Sequence, residues 1–394
     1  MRYVWMVLLA GCGFQRSGAT TDVGPDSAMA VDAMLDASSS GPAPVTCWTI
    51  SDTSFHLSAC PTALAGSIDV TTDVSIDTDA NVVPPSGLGC APLSSTSFPV
   101  CALAAGTITI EAGKTLSAHG KRPLALLGHA ITINGTVDVA SHVTGGQRGP
   151  ASIALGCNPN GTLATNSGGG AGGTYGLKGG KGGDEGGGAG TGGPQGFTIG
   201  IAPLRGGCDG GRGGDASATG GPAGVGGAGG GAVWIALDKG TLLIGSGARI
   251  NASGAGGVGG AGSSGADHGG NGGGSGGMIL LQAPMIMLDG SAQIFANGGH
   301  GGGGAQSAQA GHDGSDPTGA ASGGGGGDGG ISATVGAGGS GYPASGASLN
   351  GANGDAPTHS GGGGGGGGAG AIRVASSTAI SGTNVSPPPA KLTP

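Results

Sequence analysis

Few residues in this chain are spaced for chemistry. Gly273-Gly274-Ser275-Gly276-Gly277 matches the G-x-S-x-G elbow of serine hydrolases, but that elbow needs a strand before the serine and a helix after it. Here glycine precedes Ser275 and an apolar alternating run follows, and with 101 glycines in 394 residues the match carries no weight. Gly113-Lys114-Thr115 ends like a phosphate-binding loop, yet Ile108 stands where the leading glycine belongs and the segment lies between two strand-like runs. The stretch from Gly323 to Ile331 approaches a calcium-binding nonapeptide, but Gly330 occupies the apolar position and no tandem copy follows. His268, His300, His312 and His359 fall in glycine-rich stretches without an i, i+2 or i, i+4 pair, so they read as solvated loop histidines rather than metal ligands. Asp184 and Glu185 are neighbours, but no second acid in an apolar setting completes a glycosidase-type dyad. The sequence therefore assigns no catalytic residue, no metal ligand and no cofactor, and the expectation is a protein that is not an enzyme.

The start of the chain carries a different chemistry. Arg2 is followed by an apolar run from Tyr3 to Leu9 and then by Leu9-Ala10-Gly11-Cys12, a short secretory signal closed by small residues. Leu9 to Cys12 resembles the lipobox of bacterial lipoproteins. That resemblance implies cleavage after Gly11, diacylglyceryl transfer to the Cys12 thiol and acylation of the new amino terminus. More than one acyl chain would give stable anchoring where a single chain is marginal. Gly13 follows the cysteine in place of the aspartate that retains many lipoproteins in the inner membrane, so the resemblance points to the outer membrane. The lipid is the expected anchor, because the most apolar later stretch, Met278 to Leu288, is too short to span a bilayer and contains Gln282 and Pro284. Residues 13–46 carry Asp22, Asp26, Asp32 and Asp36 among Ala, Ser and Gly, and end in Gly41-Pro42-Ala43-Pro44. They read as a flexible tether. Its composition resembles the Asp- and Ala-rich tethers of predatory and myxobacterial-type envelope lipoproteins.

Past Cys12 stand Cys47, Cys60, Cys90, Cys101, Cys157 and Cys208, an even set without a Cys-x-x-Cys. In an exported chain they read as disulfides rather than as a zinc site or a redox pair. Six cysteines allow 15 pairings. The sequence-adjacent choice, Cys47 with Cys60, Cys90 with Cys101 and Cys157 with Cys208, closes three independent loops. Residues 47–105 are the expected disulfide-rich cap.

The elements that must position any function are short alternating runs. Six are written out as Ser67–Val82, Gly106–Gly120, Leu124–Ala140, Gly231–Gly254, Gly277–Gly298 and Gly370–Val385, each with Ile, Val, Leu and Thr at period two. One strand–turn–strand unit cannot bury its apolar face alone, so the expected fold is all-β, with a parallel β-solenoid of β-helix type over residues 106–394. A sandwich of antiparallel hairpins is the alternative. Between the units, residues 143–230, 254–276 and 298–369 are glycine-rich insertions. Glycine loses the most entropy on ordering, so disorder is one expectation for them. Gly-Gly-x triplets such as Gly256–Ala261 and Gly179–Asp184 suggest the other, polyproline II bundles, which resemble those of some phage adhesin tips and receptor ectodomains.

Composition narrows the partners. Lys and Arg total 14 and the net charge is -8, which argues against nucleic acid. Aromatics are 3% and charged residues 9%, too few for an ordinary core or a charged disordered tail. The expectation is a lipid-anchored envelope protein with a structural or adhesive surface role, meeting an envelope polysaccharide or a cell-surface partner. Polysaccharide binding is the second expectation, with Thr107, Thr109, Thr132 and Asn134 supplying hydrogen bonds. A β-helix polysaccharide-degrading enzyme is the third. It would need aromatics in a groove, and of Trp48 and Trp234 the latter sits in an alternating strand that suits a core role.

Overall fold

In the computed structural model the described residues are 46–51, 56–80, 88–91, 93–96, 99–152, 157, 164–187, 190–196, 204–215, 226–262, 267–321, 335–343, 349–355, 360–380 and 383–392. Met1–Ala43 and Pro44–Pro394 separate as two units, and the described residues all belong to the second. The expected signal peptide, Cys12 and the tether up to residue 45 lie outside the described residues.

The first part of the chain builds β1 (Trp48–Ser51), β2 (His56–Pro61), β3 (Ala65–Val70), β4 (Val74–Asp77) and β5 (Leu93–Thr96). It continues through β6 (Cys101–Ile110), β7 (Thr115–His119), β8 (Leu124–Ile133) and β9 (Thr136–Asp138). After a long glycine-rich interval come β10 (Ala232–Leu237), β11 (Thr241–Ile244) and β12 (Arg249–Asn251), then β13 (Met278–Gln282), β14 (Met285–Leu288) and β15 (Gln293–Phe295). The last strands are β16 (Ala371–Ala375), β17 (Val385–Ser386) and β18 (Ala390–Lys391). Glycine makes the tight turns between successive strands possible: Gly113 and Gly247 hold φ of 72° and 71°, which an L-residue with a side chain adopts only under strain.

Three sheets result. A small antiparallel one has the order β1-β2-β5. A nine-stranded parallel sheet runs β14-β11-β8-β10-β13-β16-β18, with β6 joining β8 to β3, and a six-stranded parallel sheet runs β17-β15-β12-β9-β7-β4. Register aligns like with like: Ile108 faces Ile131, which faces Leu242, which faces Ile286. In the six-stranded sheet Leu116, Val137, Ile250, Ile294 and Val385 form a matching ladder. These aliphatics are buried together between the two parallel sheets. The alternating pattern of the sequence is thus the pattern of one buried face. The first halves of β6 and β8, with β10 and most of β13, are buried on both faces, and so read as near-continuous apolar runs such as AVWIAL and MILL. Their outer face carries Trp234 and Leu280 and is covered by Trp48, Ile50, Leu57, Tyr175 and Leu204.

The expected parallel β-solenoid with projecting glycine-rich insertions is not what the chain builds. All-β structure and parallel pairing hold, but the strands lie in open parallel sheets instead of successive coils of constant length. β8 is one ten-residue strand that pairs with both β10 and β11, while the chain passes through residues 139–231, 252–277 and 296–370 before each next run of strands. The intervals also do not project from the sheets; their described glycines are mostly buried and hydrogen-bonded to one another.

That packing has a period of three. In the run Gly361 to Gly368 every backbone N–H is donated, in rotation, to one of three neighbouring segments. Gly361, Gly364 and Gly367 donate to Ala305, Gly302 and Gly299; Gly362, Gly365 and Gly368 donate to Ser167, Gly170 and Gly173; Gly363 and Gly366 donate to Ala352 and Leu349, all at 2.8–2.9 Å. The carbonyls accept in the same rotation from residues 336–342, 270–276 and 180–183. One glycine segment is therefore surrounded by six others, and its peptide groups are satisfied without any side chain. Only glycine permits this, because a Cβ on Gly364 would lie 2.0 Å from the carbonyl oxygen of Asn271, and one on Gly366 1.9 Å from that of Ser340.

At the margins of this layer side chains take over from backbone. Asn350 and Asn353, three apart, accept the N–H groups of Lys181 and Asp184 at 2.8 Å through their Oδ1 atoms. Asp313 and Asp316, again three apart, accept those of Gly259 and Gly256 at 2.8 Å. Amide and carboxylate oxygens thus close the outer hydrogen-bonding positions.

Candidate functional site

The residues whose types suggested chemistry have structural partners. Ser275 is buried; its Oγ accepts from the Cys208 N–H at 2.8 Å and lies 3.2 Å from the Cys208 carbonyl, so the elbow-like glycines belong to the glycine layer. Asp184 pairs with Lys181 and accepts the Gly192 N–H, and Glu185 accepts the Gly190 N–H, so the acidic pair ties its own segment together. Lys114 and Thr115 sit at the turn into β7, where the Thr115 N–H donates to Asp73.

Two of the histidines, His268 and His300, differ from the solvated loop residues expected. His268 is buried and lies 3.4 Å from Asp215. His300 is fully buried; its Nδ1 accepts from the Gly341 N–H at 3.1 Å, and burial pushes its pKa down to about 4. Packing of the glycine layer around these rings is the reason. His312 is exposed on a loop, as expected, and His359 lies outside the described residues. Among the described residues no group of three His, Cys, Asp or Glu side chains is placed to hold a metal ion. His142, which spacing did not single out, lies 3.2 Å from Asp138 and 3.4 Å from Asp316. Hydrogen bonds to those two carboxylates raise its pKa to about 10.

Bridges join Cys47 to Cys60, Cys90 to Cys101 and Cys157 to Cys208. The first anchors the β1–β2 hairpin and the second ties the chain before β5 to the start of β6. The third closes a loop across the glycine layer, and the Arg205 Nη2 lies 2.9 Å from Cys157 Sγ while its guanidinium sits 5.5 Å over the ring of buried Tyr175. Part of the expected cap, β3 and β4, is incorporated in the two parallel sheets.

The threonines proposed as a hydrogen-bonding face do share one. Asp69, Thr109, Thr132, Leu243 and Met287 are register partners across five strands. Ser67, Thr107 and Ala130 form the next row. This outward face passes from polar to apolar, ending in exposed Leu243, Met285 and Met287. Asn134 leaves the face for a turn, where its Oδ1 packs against Gly245.

A concave site lies elsewhere, at the carboxyl ends of β10, β13 and β16. There a groove of about 540 Å³ runs between those strand ends and the edge of β1, lined by Thr49, Ile50, Ser51, Asp238, Gln282 and Lys391, with Ser376 and Ser377 beside them. Leu237, Ala283, Pro284 and Leu392 supply its apolar surface. Gln282 fixes the two walls together, accepting from Trp234 Nε1 at 3.2 Å and donating to the Thr49 carbonyl at 2.8 Å. Asp238 is held by His129 at 2.8 Å, whose ring neighbours Trp48. None of these groups forms a motif in the sequence. They are brought together because Ala236, Gln282 and Ala375 are successive register partners, so the residues that follow them stack beside one another.

Among the described residues no helix is long and apolar enough to cross a membrane. No protein-family model matches the chain, and neither a curated protein nor a solved structure matches it.

Proposed function

We propose that this chain is a non-catalytic cell-envelope lipoprotein, anchored through Cys12 in the bacterial outer membrane, whose folded body has a structural or adhesive role. The observation that carries the reading is the glycine layer. Every N–H and C=O of Gly361 to Gly368 is bonded to a surrounding segment, which supports a stiff body built from backbone, with little side-chain chemistry in its interior. The disulfides suit an oxidising compartment, and the Leu9-Ala10-Gly11-Cys12 motif supplies the anchor. A second reading, binding to envelope polysaccharide, is favoured by the row of Thr109 and Thr132 beside exposed Thr107.

The test is metabolic labelling with a palmitate analogue and membrane fractionation of cells expressing the full chain or Cys12→Ala. The wild type is expected in the outer-membrane fraction with label, and the variant unlabelled and released. A variant that remains labelled and membrane-bound refutes the anchor. Threonine-face variants, such as Thr109→Lys with Thr132→Lys, are expected to abolish any retention on envelope glycans; retention unchanged by them excludes that face.

A further inference from the structure

We propose that the groove between β1 and the ends of β10, β13 and β16 binds an extended peptide segment of a partner protein, added as a strand along β1 and oriented by Asp238 and Lys391. The proposal rests on the adhesive role above and refines it by naming the partner's chemistry.

The backbone of β1 is the first argument. Among the described residues it is the edge of its sheet and pairs with β2, Trp48 facing Ala59 and Ile50 facing Leu57. In an antiparallel pair the backbone groups of alternate residues point to opposite sides. The Thr49 carbonyl meets the Gln282 side chain, so Thr49 and, two residues on, Ser51 present their backbone groups away from β2 and toward the groove. Thr49, Ile50 and Ser51 all line it, so the groove follows the strand edge. Such an edge is a template for another strand unless something blunts it. β1 contains no proline, lysine or bulge.

The second argument is charge. Asp238 and Lys391 both line the groove and are both exposed, but do not pair with each other. Asp238 follows β10 and Lys391 ends β18, with β13 and β16 between them. Three strand spacings, with a register offset of a few residues, put them about 14–18 Å apart, the length of about four or five residues of extended chain. A segment with a basic residue at one end and an acidic residue four or five positions away would satisfy both. Its remaining side chains would meet Leu237, Ala283, Pro284 and Leu392. An oligosaccharide fits less well, because Trp48 and Trp234, the aromatic rings near the groove, are 1% and 0% exposed and offer no stacking face.

The experiment uses the full oxidised chain and fluorescein-labelled hexapeptides of Val and Thr bearing one Lys and one Glu, three or four residues between them, in both orders. Fluorescence anisotropy is expected to show saturable binding for one order. The charge-swapped pair Asp238→Lys with Lys391→Glu is expected to invert the preference between orders, and Ser51→Pro, which removes an edge N–H, to weaken binding by at least about tenfold. Thermal unfolding of each variant within a few degrees of the parent shows that the fold is kept. A Ser51→Pro variant that unfolds early is replaced by the charge swap as the deciding measurement. No binding at millimolar peptide, binding indifferent to the charge swap, or binding of chitohexaose in place of every peptide would each overturn the proposal. None of these results depends on the lipid or on location, so the envelope reading stands or falls separately.

Discussion

Gly364→Ala tests whether backbone packing of glycine holds this protein together. The added Cβ would stand 2.0 Å from the Asn271 oxygen and 2.4 Å from its carbonyl carbon. Both belong to backbone that is already fixed, since the Asn271 carbonyl accepts the Gly302 N–H and Gly364 itself bonds to Gly302 and Gly339, each at 2.8 Å. To restore an ordinary contact one segment must retreat by about 1.4 Å. Overpacking of this kind costs about 1–3 kcal/mol. A buried peptide group left without its partner adds about 1–3 kcal/mol. Alanine gives back about 0.4–1 kcal/mol by restricting the unfolded chain. The net expectation is a loss of about 1–5 kcal/mol, a sizeable part of the roughly 5–15 kcal/mol typical of a folded domain.

Gly66→Ala is the matched control. Gly66 lies in β3 and has no left-handed φ, and a Cβ added there would meet nothing within 4 Å, so alanine is expected to stabilise by about 0.4–1 kcal/mol. The assay is guanidinium unfolding followed by fluorescence of Trp48 and Trp234, both buried and so sensitive to loss of the fold. Opposite shifts of the two midpoints are the expected outcome. Midpoints that move together, or a Gly364→Ala change below about 0.5 kcal/mol, would refute the close-packing account, because that is the range of an ordinary surface substitution.

Three further outcomes follow from the same structure. Asn353→Ala removes the acceptor for the Asp184 N–H and is expected to lower stability by about 0.5–1.5 kcal/mol, with Asn353→Asp recovering most of it in the same unfolding assay. His142 and His300 should give opposite pH dependences. The folded pKa of His142 is raised to about 10, so its contribution is complete below its unfolded value of 6.5 and is lost as pH rises toward 10; His142→Gln should flatten stability over that window. The folded pKa of His300 is lowered to about 4, so its contribution is present above 6.5 and is lost as pH falls toward 4, a loss that His300→Gln should remove. Proteinase K treatment of the oxidised full chain, read by mass spectrometry, should leave 299–305 and 361–368 among the protected peptides, whereas rapid loss of both alongside intact β-strands would contradict a packed glycine layer.

The strands were legible because period-two burial leaves a direct mark. All six alternating runs supply strands to the parallel sheets, and the aliphatics at Ile108, Ile131, Leu242 and Ile286 are the ones the register aligns. How the strands are joined was not legible, because an alternating pattern fixes a face and not the path between faces. The glycine intervals were harder still. Residues such as Gly361 to Gly368 differ in which neighbour receives each N–H, but they share one side chain, hydrogen, so their letters carry no trace of the rotation through Ala305, Ser167 and Ala352. The trace lies at the margins, where an oxygen-bearing side chain must replace a missing neighbour. Asn350 and Asn353, or Asp313 and Asp316, stand three apart for that reason, and a search for Asx at period three among single glycines would have found these edges of the layer. The groove left no such mark, since Asp238, Gln282 and Lys391 meet through strand register alone.

The same logic bears on what the surface can do. Where a glycine segment ends the layer, an Asn or Asp oxygen occupies the hydrogen-bonding position that another chain would need, as at Lys181 and Gly259. A layer closed in this way is stiff without being an open template for further backbone. β1 is different: its outward groups at Thr49 and Ser51 border a groove instead of a capping side chain at every position, and Gln282 takes up one carbonyl. If the protein holds a partner by its backbone, the edge of β1 is one sheet edge among the described residues that borders a groove, while the glycine layer beside the sheets keeps its own hydrogen bonds for itself.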